Sequence, residues 1–197
     1  NVLIVGCGGI GCMTAELLAR AGVGQITLID ADTIEVSNLQ RQIAYVENNV
    51  GFYKAEVLAQ RLKQINPYIQ VHAYVVKLDT ANAASLIAGQ DLVLDGCDNF
   101  TTRYLVNQQC KAANVPLISA SAIGFQGQLF MVEDESACYE CLFPKEEHAN
   151  ESLRCADSGV LATTPNVMAS LQAHHALLYL GLNVTALKQR LLLWDGL

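Results

Sequence analysis

Strand-like and helix-like periods alternate along most of the chain. Val2-Leu3-Ile4-Val5 is wholly apolar and partly β-branched, the pattern of a strand buried on both faces. A glycine-rich turn follows, and a helix is predicted over Met13–Ala21. Ile26–Ile29 reads as a second strand that ends in Asp30, and the polar stretch 32–52 reads as irregular or short-helical. Lys54–Ile65 reads as a helix with Val57, Leu58, Leu62 and Ile65 on one face, closed by Asn66-Pro67. Strands are predicted at Ile69–Val76, Leu92–Leu94, Leu117–Ser121 and Gln128–Val132, the last opening an antiparallel extension. Helices are predicted at Ala81–Ala88, Thr101–Ala113 and Val167–Leu182. No repeat, low-complexity tract or interdomain linker interrupts the series. This alternation implies an α/β fold of Rossmann-like, doubly wound type, with a mainly parallel sheet and an antiparallel extension in the C-terminal half.

Composition narrows the class. The 197 residues suffice for a single domain spanning 1–197, and 52% hydrophobic against 16% charged residues argues against disorder. A net charge of −7 argues against nucleic-acid and anionic-membrane partners. No apolar run reaches the roughly 18 residues of a spanning helix, and no charged-then-apolar leader is seen. Seven cysteines, scattered over strands, helices and loops, do not read as a disulfide framework. A reduced, cytoplasmic protein is expected, with any special cysteine catalytic or metal-binding. The chain enters a strand at its second residue and stops just after the apolar run Leu191–Trp194, so it is expected to be trimmed at both ends.

Gly6-Cys7-Gly8-Gly9-Ile10-Gly11 fits G-x-G-x-x-G between a strand and a helix. Glycines allow the tight turn and the close approach of a phosphate to the free N–H groups of the helix start. Asp30 lies nineteen residues after Gly11, at the end of the next strand, where an acid accepts hydrogen bonds from ribose hydroxyls. This pattern points to a nucleotide and leaves a dinucleotide and ATP both open. Arg41, Lys54 and Asp98 then follow, at the carboxyl ends of predicted strands or beyond them. Two cations and a second acid suit nucleotidyl transfer, where phosphate charge is neutralised and a carboxylate holds Mg²⁺. Taken singly, Arg41 also reads as a surface residue, Lys54 as a favourable helix-flanking charge, and Asp98 as the N-cap of the helix at 101.

Together, Gly6–Gly11, Asp30, Ser37-Asn38-Leu39-Gln40-Arg41-Gln42, Lys54-Ala55 and Asp95-x-x-Asp98-Asn99 resemble the ThiF/MoeB/HesA family, relatives of ubiquitin-activating enzymes. The resemblance continues through Ser121–Gln128, Cys138-Tyr139-Glu140-Cys141-Leu142 and Cys155 to Ser170-Leu171-Gln172-Ala173. It implies an adenylyltransferase that uses ATP and Mg²⁺ to activate the C-terminal Gly-Gly carboxylate of a ubiquitin-like sulfur carrier, releasing pyrophosphate. It places Gly8, Gly9 and Gly11 at the nucleotide and Asp30 at the ribose. It gives Asn38, Arg41 and Lys54 to the phosphates, Asp98 to Mg²⁺, and Asn99 a place beside the nucleotide. It further implies a homodimer, matching a helix at 167–182 that is apolar nearly all round, and a sulfur donor such as a cysteine desulfurase.

Cys138-x-x-Cys141 has zinc spacing. The resemblance pairs it with a second C-x-x-C further along, so Zn²⁺ is expected only where that pair is present. Cys155 matches the family cysteine that, in thiazole-type members, bonds to the activated carrier, and Arg154 beside it favours the thiolate. Cys7, Cys12, Cys97 and Cys110 lie in apolar contexts and read as small core residues. His174 and His175 read as core-edge or interface residues, and neither His72 nor His148 has a metal partner at useful spacing. Ser119–Phe125 looks more like thiazole-type members, which favours thiamine biosynthesis over the molybdopterin pathway. A non-catalytic adaptor for a ubiquitin-like partner and an NAD-dependent oxidoreductase are the alternatives from other classes. The run Gly159–Val167 departs from the family's usual Gly-Pro placement.

Overall fold

The structure is a computed structural model that describes residues 1–145 and 159–197. Its strands are β1 (Val2–Val5), β2 (Gln25–Ile29), β3 (Gln70–Tyr74), β4 (Leu92–Asp95), β5 (Leu117–Ile123), β6 (Gln126–Val132) and β7 (Leu191–Asp195). Its helices are α1 (Gly11–Arg20), α2 (Lys54–Ile65), α3 (Ala83–Ile87), α4 (Phe100–Ala113), α5 (Tyr139–Leu142) and α6 (Thr163–Leu182). The strands form one sheet in the order β3-β2-β1-β4-β5-β6-β7, parallel from β3 to β5 and antiparallel from β5 to β7.

β1 sits between β2 and β4 and is buried on both faces, which is why its sequence shows no alternation. Val2 and Ile4 face one core with α1, α2 and α6, while Leu3 and Val5 face another with α3, α4 and α5. Each fully buried side chain of this size contributes about 1.5–3 kcal/mol. Chain order and strand order part company between β1 and β4, because β1 connects to β2 on one side and β4 continues to β5 on the other. In open α/β sheets ligands bind at such a switch, beyond the carboxyl ends of the strands.

The predicted elements are present, with shifts at their ends. α1 begins at Gly11, two residues earlier than predicted, without a side-chain cap. Residues 32–52 contain two short 3₁₀ turns, Val36–Asn38 and Glu47–Asn49. The run at 191–195 becomes β7 and completes the antiparallel extension. α6 begins at Thr163, four residues before its predicted start. Pro165 lies in its first turn, where a missing N–H forfeits no intrahelical bond. Gly127 on β6 lets α6 lie close to the sheet, since a Cβ there would stand 2.1 Å from Met168 Sδ.

Candidate active site

Two turns meet beyond the carboxyl ends of β1 and β4. In the β1 turn, Gly6 adopts φ +89°, and a Cβ at Gly11 would stand 1.8 Å from the Gly6 carbonyl oxygen. Only glycine fits these positions. At Gly9 a Cβ would stand 3.0 Å from Pro165 Cβ and 3.5 Å from Arg41 Cγ, so α6 and the Arg41 stem wall this side of the turn. Cys12 N–H makes an early α1 bond, to the Gly8 carbonyl at 3.0 Å. The N–H groups of Gly9, Ile10 and Gly11 precede the bonded turns, the arrangement that takes up an anion. The β4 turn abuts this one: a Cβ at Gly96 would stand 3.1 Å from Gly11 N.

Asp30 is tied into the first turn. Its Oδ2 accepts the Cys7 N–H at 2.7 Å and its Oδ1 accepts the Asp32 N–H at 2.8 Å. Burial raises its pKa, against which these N–H bonds act. The carboxylate is half-buried, and two hydrogen bonds leave acceptor capacity for a ribose.

Lys54 is the first residue of α2 and only 7% exposed. Its Nζ lies 3.0 Å from Asp32 Oδ2, and Asp32 is itself exposed. The reading of Lys54 as a favourable flanking charge is corrected here, because a cation at a helix N-terminus opposes the helix dipole. Burial adds a desolvation cost, so this lysine is held where folding gains little from it.

Arg41 lies against Gly9 and donates from Nη1 to the Ser37 carbonyl at 3.2 Å. Asn38 is partly committed: its Oδ1 accepts the Glu35 N–H at 3.3 Å. Gln42 was not singled out as a site residue from sequence. It is 3% exposed, its Nε2 lies near Gly8, and its Oε1 has no hydrogen-bond partner among the described residues.

In the β4 turn the two acids divide the work. Asp95 is 1% exposed and fully engaged. It accepts from Cys97 N–H (3.0 Å), Cys97 Sγ (2.7 Å), Ser119 Oγ (2.7 Å) and Arg103 Nη1 (3.3 Å). Arg103 Nη2 donates to the Cys97 carbonyl. Burial works against the Arg103 charge, yet Asp95 and its neighbours raise the guanidinium pKa. Asp98 is exposed, and no hydrogen bond among the described residues holds its carboxylate. It is not the helix N-cap. That is Asn99, whose Oδ1 accepts Thr102 N–H at 2.9 Å at the start of α4. Arg103 and Gln172 escaped the sequence reading as network residues. Gln172, fully buried on α6, donates to the Asp95 and Ile118 carbonyls at 2.9 and 3.0 Å and accepts from Thr14 Oγ1 at 3.0 Å. A polar residue inside an apolar helix was the available signal.

Cys7, Cys12, Cys97 and Cys110 are all buried core residues, and burial pushes each thiol up, Cys12 to about 11 and Cys110 to about 12. Cys138 Sγ and Cys141 Sγ lie 3.2 Å apart. Two thiols supply half of a tetrahedral zinc set, and no group of three or more His, Cys, Asp or Glu among the described residues is placed to hold a metal. The described residues therefore do not fit a complete structural zinc site. Cys155, Arg154 and His148 lie outside the described residues. His174 is exposed and His175 half-buried at the edge of α6. No helix among the described residues is long and apolar enough to cross a membrane.

A mainly parallel sheet with a glycine turn, a strand-end acid and a buried lysine at its switch point defines a Rossmann-like α/β domain. The ThiF family pattern matches residues 1–197, and the chain belongs to that family. It is 42% identical over 197 residues to the "Adenylyltransferase and sulfurtransferase MOCS3" of Mus musculus, covering 100% of this chain and 43% of the mouse protein. It is 37% identical over 197 residues to the "SAMP-activating enzyme E1" of Haloferax volcanii, covering 100% of this chain and 73% of that protein. Among solved structures, E. coli MccB with ATP superposes with a TM-score of 0.83 at 26% identity, over 99% of this chain and 63% of that one. The chain thus spans about two fifths of the mouse relative's length.

Proposed function

We propose that this domain binds ATP across the two turns and adenylates the C-terminal glycine carboxylate of a ubiquitin-like sulfur-carrier protein. The observation that carries the reading is Lys54, a buried cation at the first residue of α2 whose own carbonyl shares the Tyr45 hydroxyl with the glycine turn. Hydride transfer to a nicotinamide has no use for it, and a non-catalytic adaptor gives no reason to keep it. The names of the relatives support the same reading, as does the ATP held by MccB.

In this reading the base-side ribose rests on Asp30, and Gly8, Gly9 and Gly11 receive the phosphates. Lys54, Arg41 and Asn38 attend the phosphate chain, and Asn99 lies beside the nucleotide. Asp98, with its carboxylate exposed, would hold Mg²⁺, which supplies charge neutralisation on the triphosphate. A carrier carboxylate oxygen attacks the α-phosphorus. The bond to the β-phosphate oxygen breaks, and pyrophosphate leaves with the displaced electron pair. The acyl-adenylate is then open to a thiol or persulfide, which expels AMP; Cys155 is our candidate for that later step. A sulfur donor of the cysteine desulfurase type and a cytoplasmic setting belong to the same proposal.

The half-buried Leu171, Leu177, Leu178 and Leu180 on α6 suit a homodimer, which sedimentation of the full chain tests. The preference for thiamine biosynthesis rested on Ser119–Phe125. Ser119 is accounted for by its bonds to Asp95 and Arg103, which weakens it as a pathway signal. Neither named relative is described as a thiazole enzyme. The partner proposed is a sulfur carrier of the thiazole or the molybdopterin kind. The test is ATP–pyrophosphate exchange on the full chain with carriers of both kinds, each intact or lacking its C-terminal Gly-Gly. Exchange that requires Gly-Gly is expected, and the carrier preferred names the pathway. Exchange indifferent to every carrier would overturn the reading.

A further inference from the structure

Tyr45 is 4% exposed, and its hydroxyl lies between two backbone carbonyls, 2.8 Å from Cys7 O and 3.3 Å from Lys54 O. These belong to the glycine turn and to the first turn of α2. The remaining bonds close a ring. Cys7 N–H goes to Asp30, Asp32 N–H goes to the other oxygen of Asp30, and Lys54 N–H goes to the Asp32 carbonyl at 3.0 Å. The ring runs Tyr45–Cys7–Asp30–Asp32–Lys54 and back to Tyr45. Asp32 and Tyr45 both come from the irregular stretch 32–52, and Tyr45 is the member that joins the ring through its side-chain hydroxyl alone.

We propose that Tyr45 is a positioning residue whose hydroxyl sets the spacing between the glycine turn and Lys54, so that turn and ammonium grip one phosphate chain together. This rests on the nucleotide-binding reading above. Burial pushes the phenol pKa up, so the hydroxyl keeps its proton and stays a donor. Without it the Cys7 carbonyl loses its side-chain donor inside the protein. The ribose side of the ring keeps its own two bonds to Asp30. The effect is therefore expected on the phosphates, which need both ends of the strut, and little on the nucleoside.

The test compares ATP and adenosine binding by titration calorimetry on the full chain, wild type against Tyr45→Phe, with melting temperature measured alongside. Phenylalanine keeps the ring and removes only the hydroxyl. Losing one such bond corresponds to about a threefold to tenfold change in an equilibrium constant. ATP affinity is expected to fall by about that factor, with adenosine affinity changed less than about twofold. An unchanged ratio of ATP to adenosine affinity overturns the proposal, whether both affinities hold or both fall. Wild-type protein that binds neither ligand overturns the nucleotide reading itself, and the strut with it.

Discussion

The two turns of the site use the same device with different materials. In each, a buried cysteine peptide is gripped at both ends: its N–H by the aspartate that closes a strand, its carbonyl by a side chain from elsewhere. At the β1 turn the pair is Asp30 and the neutral Tyr45. At the β4 turn it is Asp95 and the cationic Arg103. Asp30 remains half-buried with acceptor capacity to spare, whereas Asp95 is sealed and makes four contacts. The difference teaches which acid is available to a ligand. A strand-end aspartate that meets an internal arginine is spent on structure, and the exposed carboxylate on that turn is its neighbour, Asp98.

The largest effect is expected from breaking the sealed clamp. Arg103→Met leaves Asp95 buried without its cation, a loss on the order of 3–5 kcal/mol. Urea unfolding measures it. The double variant Arg103→Met with Asp95→Leu removes both charges and is expected to recover only part of that loss, because Cys97 N–H and Ser119 Oγ then lose their buried acceptor. A single variant as stable as wild type would show that Asp95 is not held by Arg103.

Next come the residues that the comparison leaves for chemistry. Asp98→Ala and Lys54→Ala are each expected to lower carrier-dependent ATP–pyrophosphate exchange by about 10²–10³-fold, the usual effect of deleting an electrostatic contact to a transition state. Asp98 is exposed and unengaged among the described residues, so its variant should melt within a degree or two of wild type, as surface changes of about 0.5 kcal/mol do. Lys54→Ala should be no less stable than wild type, because the partner it abandons, Asp32, is exposed and stays solvated. A large loss of stability with exchange preserved would make Lys54 a structural residue.

These differences mark how far the sequence was legible. The sheet, the switch point and the residues Gly6–Gly11, Asp30, Arg41, Lys54 and Asp98 follow from strand and helix periods with their flanking glycines and charges. Such signals are local. Asp30 and Asp95 look alike locally, each an acid after an apolar run. Only the fold brings Arg103 from α4 and Ser119 from β5 onto one of them. Tyr45 and Gln42 lie in a segment without periodicity, so nothing in the pattern says which of their neighbours they touch. Gln172 shows the opposite limit. An apolar helix around one polar residue is visible in sequence, but its two carbonyl partners, on β4 and β5, are not.

The smallest expected effect concerns the open clamp, and its sign follows from burial. Burial pushes the Asp30 carboxyl up from its ordinary value in the folded protein. Between the unfolded and folded values the folded state binds more protons, so this group's contribution to stability declines as pH rises through that window. Ligand binding runs the other way, because the ribose hydroxyls need a carboxylate acceptor and protonation removes acceptor capacity. Adenosine is the ligand to use, since it carries no phosphate to titrate. Its affinity is expected to weaken modestly as pH falls from 7 toward the ordinary Asp value of about 3.9, with the decline starting above that value. Asp30→Asn should bind adenosine more weakly and show a flatter profile, because an amide does not change charge there. A wild-type affinity that stays constant down to about pH 4 would mean that Asp30 serves only to hold Cys7 and Asp32. The two turns would then both be sealed clamps, and the ribose would need another acceptor.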